Sequence, residues 1–444
     1  MNLKTQLRTG ALALALSAAA APGFAQATFT RYVALGDSLT AGFQSGGLYV
    51  TSQRNSYPAI IAAQAGVADF QQPTVSDPGI PSALELRSLS PLIIAPKPGS
   101  GVPTNLSLAR PYNNLAVPGA DVHDTLFTTT DNGGLHDLIL RRQNATALQQ
   151  ALVQQPTFVT LWIGNNDALG AATSGIVIDG VTLTTAASFE ADFRAVTNAI
   201  AASGAKMAIA NVPDVTSIPF VTTIPPFIVV NGAPLLIGGN PVPYIGPNGP
   251  LAANDFVLLT AQAELAQGKG IPVALGGSGL PLSNSSVLSA SEAATIRSRV
   301  NSYNAVIAAV ANEKGAALVD ANAILTAIAH EGVDYGGITF NSKFLTGGIF
   351  SYDGVHPSRF GYALVALEFI HAINAKFGSD IPDPNLGAAM QGGGGGSLFS
   401  FDTASLELAP DFDANLRWAL HVPSQADLEQ QAQVKPKPRH RRRR

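Results

Sequence analysis

Cysteine is absent from the 444-residue chain. We therefore expect neither a disulfide nor the lipid-modified cysteine of a lipoprotein. Long apolar runs are also missing, because none reaches the ~18 uninterrupted residues that a membrane-spanning helix needs. Stability must come from the core alone, without covalent cross-links.

Charged residues are scarce, at 13% of the chain, whereas hydrophobic residues make up 46%. This balance is typical of a well-buried globular protein and excludes a mainly disordered one. The net charge of −4 is unevenly spread, because seven of the 26 basic residues lie in the last ten positions and two in the first eight. The rest has 17 basic residues against 30 acidic ones. This excess of acidic residues between the two ends of the chain argues against nucleic acid as the main partner.

The first 27 residues have the layout of a secretory signal peptide. Lys4 and Arg8 give a basic start, residues 11–21 an apolar stretch, and residues 25–27 an Ala-Gln-Ala cleavage site. The alternative is a membrane anchor, but this stretch is too short to cross a bilayer core of ~30 Å. We therefore expect a secreted or periplasmic protein whose folded domain begins at residue 28.

Apolar segments of strand length alternate with segments of helical period. The expected strands are residues 31–36, 157–163, 206–211 and 317–320, and the expected helices are residues 188–202, a helix opened by a capping box at Ser289–Glu292, and residues 358–377. Strands that alternate with helices predict an α/β fold, here a three-layer α/β/α sandwich with a mainly parallel sheet.

Two insertions interrupt this alternation between residues 28 and 385. Residues 71–111 are rich in proline, glycine and serine, and residues 218–279 are longer and more apolar. Loops this long inside a compact domain are usually binding loops or lids. We favour an apolar cap that accepts acyl chains, with Phe227 and Leu236 as lining candidates. The alternative is a lobe that packs on the body.

The carboxyl-terminal part has a different composition. Residues 386–434 combine a five-glycine linker at 392–396 with a small element for which Trp418 is a possible anchor. Residues 435–444 are a basic tail that we expect to be disordered. A solvated tail is the simpler interpretation, and weak contact with anionic surfaces is the alternative.

A serine lies directly after the first apolar run. Residues 36–39 read Gly-Asp-Ser-Leu and follow the strand-like residues 32–35. A turn at this point presents the Ser38 hydroxyl at the carboxyl edge of the sheet, where α/β folds place their active sites. Taken alone, the tetrapeptide could equally be a plain strand-to-helix turn.

Three further motifs follow in order. Residues 114–120 read Asn-Leu-Ala-Val-Pro-Gly-Ala, residues 164–167 read Gly-Asn-Asn-Asp after an apolar run, and residues 353–357 read Asp-Gly-Val-His-Pro before a long amphipathic segment. His356 is the base we would pair with Ser38, and the carboxylate of Asp353, three residues earlier, can fix its tautomer. The other histidines lack such a motif, and we expect them to be structural or exposed.

Together the four motifs resemble those of the SGNH (GDSL) hydrolase family, over residues 33–377. The resemblance implies a catalytic triad of Ser38, Asp353 and His356. It also implies an oxyanion hole formed by the backbone N–H groups of Ser38 and Gly119 and the side-chain amide of Asn166. Asn165 is the alternative amide donor. Asp37 and Asp167 are expected to brace their loops.

The resemblance implies a serine ester hydrolase that needs no cofactor or metal and works through an acyl-enzyme. The apolar insertions favour a lipid or other fatty-acyl ester as substrate and partner. Removal of acetyl groups from a polysaccharide is the first alternative, and an inactive surface-binding protein on the same fold is the second. The motifs of α/β-hydrolases, zinc peptidases and P-loop proteins are absent from the sequence.

Overall fold

The computed structural model describes residues 26–89, 92–131, 133–141, 143–390, 406–408, 417 and 422–433. Four sequence features fall outside these residues: the signal peptide apart from its last two positions, the glycine run, Trp418 and the basic tail. Within the described ranges, no helix is both long enough and apolar enough to span a membrane.

The strands, in chain order, are β1 (Tyr32–Gly36), β2 (Leu84–Leu89), β3 (Leu92–Pro96), β4 (Phe158–Trp162), β5 (Lys206–Ala210), β6 (Val229–Val230), β7 (Ala233–Pro234), β8 (Leu236–Ile237), β9 (Asn240–Pro241), β10 (Ile245–Gly246), β11 (Gly249–Pro250), β12 (Phe256–Val257), β13 (Val287–Leu288), β14 (Ala317–Val319), β15 (Val333–Tyr335), β16 (Ile338–Phe340) and β17 (Leu406–Leu408).

The α-helices are α1 (Ser38–Ala41), α2 (Val50–Arg54), α3 (Tyr57–Gln64), α4 (Val122–Phe127), α5 (Leu135–Leu140), α6 (Ala147–Leu152), α7 (Asn166–Ser174), α8 (Ala186–Ala202), α9 (Pro219–Thr222), α10 (Gln262–Ala266), α11 (Ala290–Lys314), α12 (Ala321–His330), α13 (Arg359–Phe377), α14 (Leu386–Met390) and α15 (Gln425–Gln433). Short 3₁₀ helices cover Leu259–Ala261, Val273–Leu275 and Asn284–Ser286.

A parallel sheet forms the centre of the fold, in the strand order β1-β4-β5-β14. In its middle, Val159 aligns with Val33 on one side and with Met207 on the other. Beyond β1, Asn114 makes a parallel bridge to Ala34. The turns that carry the first three motifs therefore follow neighbouring strands and meet at the carboxyl edge of the sheet.

Helices cover both faces of this sheet, and alternate side chains of β1 enter two separate apolar clusters. On one face lie α8 and α11, whose Phe189 and Tyr303 rings stack with centroids 4.1 Å apart. On the other lie α3 and α13, where Tyr57 and Phe369 stack with centroids 4.5 Å apart. This three-layer α/β/α arrangement confirms the predicted fold class.

The predicted core elements agree with the structure to within two residues at each end. Their signals are local, which is why the sequence could locate them. At the start of α11, the hydroxyl of Ser289 accepts the Glu292 N–H at 3.3 Å, and the Glu292 carboxylate accepts the Ser289 N–H at 2.9 Å. This is the expected capping box.

The first insertion, residues 71–111, includes the antiparallel hairpin of β2 and β3. The Leu84 N–H donates to the carbonyl of Ser45 at 2.6 Å. Its side chain lies beside Gly46, where an added Cβ would meet it at 3.5 Å. The hairpin thus packs on the loop that follows α1.

The second insertion, residues 218–279, is a lobe of short strands, turns and short helices. Its inner side chains, such as Phe220 and Ile228, are buried in the main core cluster. Phe227 is half-buried, whereas Leu236 is 54% exposed. Leu236 therefore does not line an enclosed pocket, whereas the inner side chains of the insertion pack on the body.

The described carboxyl-terminal residues pack on the rest of the chain. β17 pairs in parallel with β3, and α15 lies against residues 284–286. Leu428 is fully buried, and the Ser285 hydroxyl donates to the Glu429 carboxylate at 3.1 Å. These pieces fall within the small element predicted after the glycine linker.

Candidate active site

Ser38 opens the one-turn helix α1 at the carboxyl end of β1. Asp37 caps this turn, because its Oδ1 accepts the Leu39 N–H at 3.0 Å. Gly36 has no room for a side chain, since an added Cβ would lie 2.1 Å from Oγ1 of Thr40. The turn therefore fixes the backbone of Ser38, which is only 3% exposed.

Asp353 and His356 form a buried pair in the loop before α13. Nδ1 of His356 lies 2.8 Å from Oδ2 of Asp353, and both side chains are wholly buried. An ionised carboxylate only accepts hydrogen bonds, so the proton between them sits on Nδ1, and in the neutral imidazole Nε2 is then the nitrogen with the lone pair. Nε2 is buried and has no hydrogen-bond partner. The imidazole thus has the basic nitrogen that a general base requires.

Four further hydrogen bonds hold the Asp353 carboxylate. Oδ2 accepts the Gly46 N–H at 2.7 Å. Oδ1 accepts the Ser351 hydroxyl at 3.2 Å and the N–H groups of Val355 and His356 at 2.9 Å each. Burial raises the pKa of Asp353. The charge and hydrogen bonds of His356 lower it by more than burial raises it, so the pKa lies below its ordinary value. The carboxylate is therefore ionised at neutral pH.

Phe43 connects the serine turn with the histidine loop. Its N–H donates to the carbonyl of Ser38 at 3.0 Å, and its ring lies against the imidazole of His356 with centroids 4.8 Å apart. The hydroxyl of Tyr362, on α13, donates to the carbonyl of Phe43 at 2.6 Å. The predicted nucleophile and base thus both contact Phe43, Ser38 through the backbone N–H and His356 through the ring.

Gly119 lies on a loop next to Asn166, the first residue of α7. Nδ2 of Asn166 donates to the carbonyl of Ala120 at 2.8 Å. This bond uses one of the two N–H donors of the amide and fixes its orientation. Gly119 has a φ of +88°, a conformation that glycine adopts without steric cost. The structure thus brings Asn166 beside the residue that follows Gly119.

Asn165, the alternative donor, is directed elsewhere. Its Nδ2 donates to Oδ2 of Asp37 at 2.7 Å, and the residue is only 4% exposed. Its Oδ1 is buried without a hydrogen-bond partner. The amide of Asn165 therefore links two turns of the sheet edge, which leaves Asn166 as the better candidate donor.

The carboxyl groups beside these loops carry raised pKa values. Burial raises the pKa of Asp37 to about 6, against the smaller opposing effect of its hydrogen bonds with Asn165 and Leu39. Burial, together with repulsion by Asp121, raises the pKa of Asp167 well above its ordinary value. Oδ2 of Asp167 also accepts the Val122 N–H at 3.1 Å. Both aspartates thus make the loop contacts that the sequence predicts for them.

The sequence analysis did not predict the residues that hold the Asp353 carboxylate in place by hydrogen bonds. The Ser45 N–H donates to the hydroxyl of Ser351 at 2.8 Å, and Ser351 in turn contacts Asp353. Gly46 completes this support through its own N–H. A Ser-Gly pair after the nucleophile and a serine near the aspartate are too common in sequence to signal such a contact.

The remaining described histidines lie outside this cluster. His123 and His371 are exposed and contact Asp192 and Asp383, each at 3.0 Å. His136 is buried, and His330 is exposed at the end of α12. His421 lies outside the described residues. Within the described part of the chain, no group of three or more His, Asp or Glu side chains is placed to hold a metal ion.

Solved structures resemble the chain at low identity. A catalytic mutant of an acetylxylan esterase from Geobacillus stearothermophilus is 14% identical, with 79% of this chain and 96% of that chain covered and a TM-score of 0.34. An extracellular lipase from Streptomyces rimosus is 17% identical, with 77% and 98% covered and a TM-score of 0.34. An α/β hydrolase from the metagenome of Lake Arreo, Spain, is 15% identical, with 80% and 99% covered and a TM-score of 0.35. Likenesses this low say nothing about substrate. No curated protein matched the chain.

A family model gives the decisive comparison. The model described as GDSL-like lipase/acylhydrolase matches residues 32–369. This range is about three quarters of the chain and contains all four motifs together with the sheet that positions them. The chain belongs to the GDSL-like lipase/acylhydrolase family.

Proposed function

We propose that the protein is a serine hydrolase that cleaves carboxylic esters through an acyl-enzyme intermediate. The observation that carries this proposal is the buried Asp353–His356 pair, whose Nε2 has no hydrogen-bond partner. Phe43 contacts this imidazole with its ring and donates its N–H to the carbonyl of Ser38. A serine hydroxyl is a poor nucleophile without such a base.

In the proposed reaction, Ser38 Oγ attacks the ester carbonyl while Nε2 of His356 takes the hydroxyl proton. Asp353 stabilises the imidazolium that results. His356 then gives the proton to the leaving alcohol as the C–O bond breaks, so the acyl group stays on Ser38. Water attacks this acyl-enzyme, again with His356 as base, and releases the acid.

The negative charge on the carbonyl oxygen needs fixed donors. We assign this role to the backbone N–H groups of Ser38 and Gly119 and to the second N–H of the Asn166 amide. Each such donor is worth ~3–4 kcal/mol of transition-state stabilisation. The bond from Asn166 to the Ala120 carbonyl supports the assignment, because a held amide loses little entropy when it binds the oxyanion.

We propose a fatty-acyl ester as the substrate. An apolar cavity of about 100 Å³ has in its wall Leu39, Val355 and Pro357, the sequence neighbours of Ser38 and His356. Glu368 is the one ionisable residue of the wall. An apolar cavity of ~150 Å³ accommodates a benzene-sized molecule. This cavity therefore has room for a few carbon atoms of an acyl chain.

A series of nitrophenyl esters of increasing chain length tests both proposals. Each buried methylene contributes up to ~0.8 kcal/mol, so kcat/KM should rise from the acetate to a medium-chain ester. Leu364→Phe, which fills part of the cavity, should flatten that rise. Leu367→Phe is the matched control, because Leu367 is on the same helix, is also half-buried, and is not part of the cavity wall.

Other outcomes select the alternatives. Preference for the acetate, unchanged by Leu364→Phe, would favour a carbohydrate O-acetyl esterase. Absence of turnover on every ester would favour a binding protein on this fold.

We further propose that the protein acts in the periplasm or outside the cell. The basic, apolar and small-residue segments at the start of the chain support export. Amino-terminal sequencing of the exported protein should find cleavage after residue 27. An uncleaved chain retained in the cytoplasm would contradict this proposal.

A further inference from the structure

A long stretch that begins just before the second insertion and covers much of it has no acidic or basic side chain. Residues 215–254 include no Asp, Glu, Lys, Arg or His. At the overall charged fraction of 13%, a stretch of this length would carry about five charged residues. A surface built from it cannot attract or repel a partner through charge.

Within this stretch, residues 228–242 form a small antiparallel meander, which we call the outer meander. The Ile228 N–H donates to the Val242 carbonyl at 2.8 Å, the Leu235 N–H to the Ile228 carbonyl at 2.8 Å, and the Val242 N–H to the Leu235 carbonyl at 2.9 Å. These backbone groups are paired within the meander. Contact with an apolar medium would therefore not leave them unsatisfied.

The outer meander presents aliphatic side chains to solvent. Val230 is 50% exposed, Leu236 is 54% exposed and Ile237 is 60% exposed. Ile228, by contrast, is buried and anchors the meander in the main core cluster. Exposed aliphatic side chains on a firmly anchored, uncharged projection are typical of an interaction site.

The lobe that carries the meander rests on the candidate catalytic loop. The Phe220 N–H donates to the carbonyl of Gly354 at 2.9 Å. The contact is close, since a Cβ added to Gly354 would lie 3.0 Å from that nitrogen. Gly354 directly follows Asp353, so the lobe that carries the meander is anchored beside the candidate catalytic loop.

We propose that the outer meander adsorbs the enzyme to the neutral, apolar surface of an aggregated lipid ester. The inference rests on the proposed function, because adsorption to a lipid ester is useful only to an enzyme that cleaves it. Adsorption itself needs no catalysis. The absence of charge favours a neutral surface, because anionic lipids are recognised by basic clusters. A second copy of the chain fits less well. Three half-exposed side chains offer a few hundred Å² at most, whereas stable interfaces bury ~1,200 Å² or more.

Adsorption is measured with full-length Ser38→Ala protein, so that hydrolysis cannot change the surface. The protein is mixed with a triolein emulsion, and the bound fraction is determined after flotation, at low and at high salt. We expect binding that high salt does not weaken. Introducing Leu236→Asp and Ile237→Asp together into the Ser38→Ala protein should weaken binding to the emulsion at least tenfold. Val153→Asp is the control, because Val153 is 71% exposed and lies in the turn that leads to the amino end of β4.

Three results would overturn the proposal: no binding by the parent protein, equal binding by the double variant, or equal weakening by Val153→Asp. A concentration-dependent dimer that the double substitution dissociates would assign the surface to a second copy instead. Binding only to phosphatidylglycerol vesicles, abolished by salt, would assign adsorption to charge and also contradict it.

A separate assay keeps the two proposals distinguishable. With Ser38 intact, the double variant should hydrolyse soluble nitrophenyl acetate at the wild-type rate and lose activity on emulsified triolein only. If the wild-type protein adsorbs but hydrolyses neither substrate, the proposed function fails and the adsorption site stands.

Discussion

Nδ2 of Asn165 lies 2.7 Å from Oδ2 of Asp37. The bond ties the turn after β4 to the turn after β1, and each turn carries a residue of the candidate site, Asn166 or Ser38. Asp37 is wholly buried and its carboxylate also caps α1. The geometry of the serine turn therefore depends on a carboxyl group whose ionisation is opposed by burial.

The raised pKa of Asp37 predicts a pH dependence of stability. The pKa is about 6 in the folded protein against an ordinary value of 3.8. Between these values the folded protein binds more protons than the unfolded chain, so stability from this group falls as pH rises. The full effect is about 3 kcal/mol. In Asp37→Asn this pH dependence of stability should vanish. The new side chain can still be paired, because rotation of the Asn165 amide lets its unpartnered Oδ1 accept a hydrogen bond from the amide of the new side chain.

Urea unfolding of wild type and Asp37→Asn from pH 4 to pH 7 checks this prediction. The free energy of unfolding of the variant, relative to wild type, should increase by about 2.4 kcal/mol over that range, less than the full effect because the carboxyl group of the unfolded chain is already partly ionised at pH 4. A difference that does not change with pH would show that Asp37 has an ordinary pKa.

Asn166→Ala should lower kcat by about 100- to 1000-fold and leave KM nearly unchanged, because an oxyanion donor acts mainly in the transition state. Asn165→Ala should affect turnover much less, since its amide is committed to Asp37. Steady-state kinetics on a soluble ester separates the two. A loss confined to KM, or the reverse ranking of the two variants, would reassign the donor.

Asp353→Asn should lower kcat by roughly 10³- to 10⁴-fold, because the amide removes the negative charge and favours the wrong imidazole tautomer. Ser351→Ala removes only one of the hydrogen bonds to the same carboxylate and should cost less than tenfold. Both variants should show wild-type circular dichroism. Equal losses in the two variants would mean that Ser351 does more than position Asp353.

Two truncations distinguish the basic tail from the packed element before it. Deleting residues 435–444 should leave the melting temperature and short-ester turnover unchanged. Deleting residues 422–444 also removes the buried Leu428, and burial of such a side chain is worth ~1.5–3 kcal/mol. This longer deletion should lower the melting temperature by several degrees. The reverse result would place the stabilising contacts in the tail.

The central sheet and its motifs could be predicted because their signals are local. An apolar run such as residues 158–162 specifies a buried strand without reference to distant residues. The turn after it then reaches the carboxyl edge through the parallel topology. The spacing of Asp353 and His356, taken together with the three other motifs, predicted their hydrogen bond.

The hydrogen bonds from distant residues that hold the Asp353 carboxylate could not be predicted in this way. Gly46 and Asp353 are 307 positions apart, and nothing in either segment specifies the other. The lobe shows a second limit, since apolar composition does not reveal which apolar side chains become buried. Ile228 enters the core and Leu236 stays exposed, although the two lie in the same meander.

The initial rate of nitrophenyl acetate hydrolysis by wild type, Ser38→Ala, His356→Ala and the double variant tests the central claim most directly. Residues that act as one catalytic unit show losses that do not add. All three variants should therefore fall to the same residual rate while keeping the wild-type melting temperature within a few degrees. A Ser38→Ala protein that retains a substantial fraction of the wild-type rate would place the nucleophile elsewhere.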